Sequence, residues 1–96
     1  MTKEMIKEKL LSDNRWLVRG ILAIYHKQTY EEQTADATLK DNGVGFNGVD
    51  AFILSSFAKQ LKQGRTLSMK QLLIARRKMP KYAGQLLQIA KEKGNA

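Results

Sequence analysis

Apolar residues recur along this chain three and four positions apart, and nowhere do they alternate with polar ones as a half-buried strand requires. The clearest case is "RWLVRGILAIYHKQ". Leu17, Ile21, Ile24 and Tyr25 follow an i, i+4, i+7, i+8 pattern there, and Val18 and Leu22 widen the stripe. The pattern predicts a helix over 14–28, the most hydrophobic segment and so the centre of the fold. Gly20 within it costs about 1 kcal/mol relative to Ala, which the close approach of another helix would explain. Upstream, 3–11 predicts a shorter helix with Thr2 as N-cap and Met5, Ile6 and Leu10 on one face. "SDN" interrupts it, and Asp13 is placed to cap the second helix.

Further along, Thr29-x-x-Glu32 spells a capping box that would open a short polar helix or turn. After a glycine-rich loop, a helix is expected over 48–63. Ile53, Leu54, Phe57, Ala58 and Leu61 form its buried stripe, Lys59, Gln60, Lys62 and Gln63 face outward, and Gly64 ends it. Ser68 and Gln71 give a second capping box, opening a helix over 69–79. Pro80 removes a hydrogen bond and clashes within a helix, yet costs little at the start of a new one. Tyr82, Leu86 and Ile89, with Ala83, Leu87 and Ala90, keep helical spacing just after it, so a kink is favoured over a restart, with helix to about 93 and a frayed tail at 94–96. The expectation is one all-α domain over 1–96, a compact bundle of four to five helices with a glycine-rich loop near 41–48.

A single domain also suits 96 residues. The chain has no cysteine, so no disulfide and no thiolate metal site, and His26 is its one histidine, which removes the usual zinc sites. The start, "MTKEMIKEKLLSD", is charged and lacks the apolar core of a signal peptide. The longest aliphatic run, "LLIA", is far short of the ~20 residues of a membrane span. These features lead to the expectation of a soluble cytoplasmic protein with no membrane partner.

The loop "DNGVGFNGVD" contains G-x-G-x-x-G at Gly43, Gly45 and Gly48, the spelling of a dinucleotide-binding turn. That motif needs a buried strand before it and an acid about twenty positions on; "TADATLKDN" is no such strand and the later position lies where no acid occurs. No cofactor is expected. The residues suit a helix start better: Asn47 as N-cap, Asp50 in the positive first turn, Phe46 as a staple and three glycines allowing positive φ.

Charge changes the picture most. The formal net charge is +8, and between Ala51 and Lys91 there is no Asp or Glu. Lys59, Lys62, Arg65, Lys70, Arg76, Arg77, Lys78, Lys81 and Lys91 all fall in that stretch. A solvated helical surface ordinarily mixes signs; forgoing this points to an anionic partner. On the helix from residue 69, Lys70, Ile74, Arg77 and Lys81 share a face flanked by Arg76 and Lys78, while Leu72, Ala75 and Met79 point to the core. The two helices around "GRTL" have the lengths of a helix-turn-helix, but the second offers only Lys70 and Gln71 near its start, so backbone contact fits better than operator reading. Among the aromatics, Trp16, Tyr25, Phe52, Phe57 and Tyr82 are read as core, and Tyr30 and Phe46 as the exposed pair available for base stacking. Neither His26 with Asp36, Asp41 and Asp50, nor Ser55 and Ser56, forms a catalytic spacing, so no enzyme is expected.

The segments "RWLVRGILAIYHKQTYEEQ", "NGVGFNGVDAFILSSFAKQL" and "GRTLSMKQLLIARRKMPKYAGQL" resemble a small module carried by phages, prophages and plasmids, which also occurs attached to helicase- or nuclease-type proteins. The marks are N-G-x-G-F-N-x-x-D, L-S-x-K-Q and K-Y-x-x-Q-L, and Pro80 departs from the pattern. The resemblance carries over no catalytic residue and implies mobile-element DNA biology in a bacterial host. The expected function is non-catalytic nucleic-acid binding, to DNA or RNA, with little sequence specificity. Phosphate contacts would come from Lys70, Arg76, Arg77, Lys78 and Lys81, with Lys59, Lys62 and Arg65 as an outer set. The alternative is a phage-encoded inhibitor or adapter docking on a host or defence nucleic-acid enzyme, and homo-oligomerisation through an exposed apolar face stays open.

Overall fold

The computed structural model describes residues 1–34 and 45–92, apart from the side chains of 29–34. Among these residues the fold is all-α: α1 (Lys3–Ser12), α2 (Asn14–Thr34), α3 (Gly48–Lys62), α4 (Met69–Lys78), a 3-10 turn (Met79–Tyr82) and α5 (Ala83–Glu92). Helix α2 is the hub, packing against each of the other four. Leu17, Ile21 and Ile24 of α2 meet Ile6 and Leu10 of α1, Leu54, Phe57 and Ala58 of α3, and Ala75, Met79, Tyr82, Ala83 and Leu86 from the C-terminal elements in one core.

Local signals set most boundaries. Thr2 Oγ1 accepts from the Met5 amide and Asp13 Oδ1 from the Arg15 amide, so both expected caps form. Gly64 has φ 85°, the left-handed residue that ends α3. Ser68 and Gln71 make both halves of their capping box. A Cβ on Gly20 would come within 3.2 Å of Leu86 and 3.3 Å of Leu10 and Met79, which is the close helix approach its presence suggested.

Three expectations change. No helix starts at Thr29: α2 runs unbroken to Thr34, because no glycine or proline follows Gly20 in it and Glu and Gln are good helix formers. Met5 is exposed, and α1 buries only Ile6 and Leu10. At Pro80 the chain neither simply kinks nor begins a new α-helix: α4 stops at Lys78, and a 3-10 turn with Pro80 at its start, where the missing N–H is harmless, leads into α5. Gly43, Asp36, Asp41, the Thr29, Tyr30 and Glu32 side chains and the 94–96 tail lie outside the described residues.

Candidate nucleic-acid interface

The corner before α3 is built from four elements. Gln28 Oε1 of α2 accepts the Phe46 amide at 2.9 Å. Gln85 of α5 grips Gly45 with both ends of its amide, Oε1 accepting from the Gly45 N–H and Nε2 donating to the Gly45 carbonyl, each at 2.9 Å. Tyr82 Oη accepts the Asn47 amide at 3.1 Å, and Asn47 Oδ1 caps α3 through the Asp50 amide. Of the described glycines in this loop only Gly45 takes positive φ, at 97°; Gly48 is an ordinary helical residue, which corrects the expectation that it turns the backbone.

Asp50 closes the corner, and its residue is 0% exposed. Its carboxylate accepts from Tyr82 Oη at 2.7 Å and from Lys78 Nζ at 3.0 Å, and pairs with Lys81 Nζ at 2.7 Å. Burial alone would raise its pKa; the hydrogen bonds from Lys81, Tyr82 and Lys78 outweigh that and hold it at about 2, below the ordinary 3.8. Tyr82 goes the other way, pushed up to about 12 by burial and by the adjacent carboxylate. One acid against two lysines leaves this corner carrying a net positive charge, so the start of α3 does not repel an anion.

The eight expected phosphate ligands therefore divide. Lys78 and Lys81 serve Asp50, and Arg76 donates to Asn14 Oδ1 at the start of α2. Ile74, expected on the cationic ridge, is half-buried against the core. Lys59, Lys62, Arg65, Lys70 and Arg77 stay exposed, with no ion pair among the described residues. Lys62 lies over the Tyr25 ring, 5.6 Å from its centroid. Lys70 and Arg77, two turns apart on the outer face of α4, are accompanied by the exposed Met69 and Leu73. Lys59 and Arg65 come together beside a shallow groove along α3.

Arg65 reaches that groove because the connection after α3 is braced. Gln60 and Gln71 exchange amide hydrogen bonds at 3.0 and 3.1 Å, and Gln60 Nε2 also donates to the Thr66 carbonyl at 2.7 Å. Gln60, expected to face outward, is thus half-buried and engaged. The connection spans residues 63–68, longer than the tight "GRTL" turn of a helix-turn-helix.

Phe57 and Tyr82 are buried and Trp16 and Tyr25 pack against the core as expected, but two aromatic expectations reverse. Phe46 is buried edge-on to Tyr82, ring centroids 5.4 Å apart and planes at 84°. Phe52 is 89% exposed, because α3 turns Asp50, Leu54 and Phe57 inward and so points residue 52 to solvent. The acid at position 50 hides this register, since an acid at a helix start ordinarily signals solvent. The roles of Asp50 and Tyr82 as partners of the lysines, and of Gln28 and Gln85 as loop clamps, have no local sequence signal.

Among the described residues, no group of three or more His, Cys, Asp or Glu could hold a metal ion, and no helix is long and apolar enough to cross a membrane. Comparison with known protein families, curated proteins and solved structures finds no match to this chain.

Proposed function

We propose that the protein binds nucleic acid without catalysis, contacting the phosphate backbone through Lys59, Lys62, Arg65, Lys70 and Arg77. The observation that carries this reading is that these five cations remain exposed on α3, α4 and their connection, where the sole acid, Asp50, is buried and doubly paired. Lysine and arginine neutralise phosphates and release counterions, a binding mode that reads little sequence. The resemblance to a phage and plasmid module supports mobile-element DNA biology as its setting.

Titrating duplex and single-stranded DNA and RNA across salt tests it. Five phosphate contacts give a log–log slope of about −4.5 on duplex DNA. Lys70→Glu/Arg77→Glu and Lys59→Glu/Arg65→Glu should each weaken binding without lowering the melting temperature. A flat salt dependence, or no binding at low ionic strength, overturns the reading.

The exposed Met69 and Leu73 beside Lys70 and Arg77 favour a second reading, an adapter or inhibitor docking on a host or defence enzyme. Pull-down from nuclease-treated lysate separates the two: partners retained after nuclease, and lost with Leu73→Glu, support the adapter.

A further inference from the structure

The outer face of α3 carries Val49, Phe52, Ser56, Lys59 and Gln63, spaced three, four, three and four residues, so they form a straight stripe opposite Asp50, Leu54 and Phe57. Val49 is 86% exposed and Phe52 89%. Alongside runs the groove, about 480 Å³, lined by Phe52, Ser55, Ser56, Lys59, Gln63 and Arg65 among others. Its floor is polar. Lys59 lies seven residues from Phe52, about 10 Å along the helix axis, and Arg65 lines the same groove.

An apolar protein helix would find only Val49 and Phe52 to pack on, at one end. The arrangement matches another chemistry. An aromatic ring with an open face suits a nucleobase, and two cations, the nearer about two helical turns away, suit the phosphates that follow it. Ser55, Ser56 and Gln63 between them offer hydrogen-bonding groups to base edges or sugar. We propose that this groove holds a single strand of nucleic acid, one base stacked on Phe52 and the adjoining phosphates on Lys59 and Arg65. The proposal rests on the nucleic-acid reading above and adds strandedness and the stacking residue.

The test measures affinity of the full chain for short oligothymidylate, oligouridylate and a duplex of the same length, at fixed low salt. Phe52→Ala should weaken both single strands by about fivefold to a hundredfold, since a stacked base contributes about 1–3 kcal/mol, and leave duplex affinity and the salt slope unchanged. Phe52→Trp should restore affinity, with the new indole emission quenched as the strand binds. Phe52 is so exposed that neither variant should shift the thermal melt. Equal losses on strand and duplex, or no loss on the strands, overturn the groove while leaving backbone binding intact. If the parent protein binds no nucleic acid at all, both readings fall. A dimer in sedimentation that Phe52→Ala dissolves assigns the groove to a second copy and overturns the proposal.

Discussion

Lys81 Nζ lies 2.7 Å from Asp50 Oδ2, joining the turn before α5 to the first turn of α3. Half of the Lys81 side chain is exposed, yet its charge is committed inward because the carboxylate it meets is buried. Counting cations along the chain therefore overstates what the surface offers a ligand. The basic half divides into cations that hold the fold and cations that remain available.

Acid should expose this corner first. The folded pKa of Asp50, about 2, is below its ordinary 3.8, so its stabilisation is full above about 3.8 and fades as pH falls toward 2. The difference corresponds to about 2 kcal/mol. Tyr82, raised from 10.0 to about 12, stabilises fully below pH 10 and loses that contribution as pH rises toward 12. Urea melts across pH should give a plateau between these limbs. Asp50→Asn should lower the plateau and flatten the acid limb, and Tyr82→Phe should flatten the alkaline one.

Alanine substitutions should sort the lysines. Lys81→Ala and Lys78→Ala each remove a donor from a buried carboxylate and should cost about 1–3 kcal/mol in chemical denaturation. Lys70→Ala and Lys59→Ala should stay within about 0.5 kcal/mol of the parent. The same four variants assayed for nucleic-acid binding should show the reverse order of effect, once each is measured well below its melting temperature.

The glycines at the two ends of α3 should not behave alike. Alanine at Gly45 combines φ 97° with a Cβ only 2.6 Å from Gln28 Oε1, and should cost about 1–3 kcal/mol. At Gly64, with φ 85° but open space around it, the cost should be about 1 kcal/mol. Gly48→Ala meets nothing within 4 Å at a helical φ and should gain about 0.4–1 kcal/mol. Thermal melts of the three single variants give the ranking.

At Gly20 two effects oppose. Alanine gains about 1 kcal/mol of helix propensity, while its Cβ presses at once on Leu86, Leu10 and Met79, overpacking that costs about 1–3 kcal/mol. Three simultaneous contacts in one packed core leave little room to yield, so a net loss of about 1 kcal/mol is expected, and a larger one for Gly20→Val. Denaturant midpoints with unchanged slopes would establish both.

The elements that were legible beforehand are those written in adjacent residues. The caps at Thr2, Asp13, Asn47 and Ser68, the stop at Gly64 and the α2 stripe all act within one or two turns, so their chemistry stands next to them in the chain. What escaped reading joins residues far apart: Gln85 on Gly45, Tyr82 and Lys81 on Asp50, Arg76 on Asn14. A carboxylate at a helix start is explained equally well by the helix dipole, which masked its burial and carried the error to Phe52.

Apart from Gln28, the partners that close the α3 corner all follow α3 in the chain, and this bears on how the protein is made. A ribosome delivers α2 and α3 before Lys78, Lys81, Tyr82 and Gln85 exist, so a nascent chain stalled after Arg77 presents Asp50 with no counter-charge and Gly45 with no clamp. In such a chain the Gly45 and Asn47 amides should exchange freely with solvent, and after release they should be protected. The corner is then sealed by a stretch made after it, and the exposed face of α3 takes its final form only once synthesis has passed residue 85.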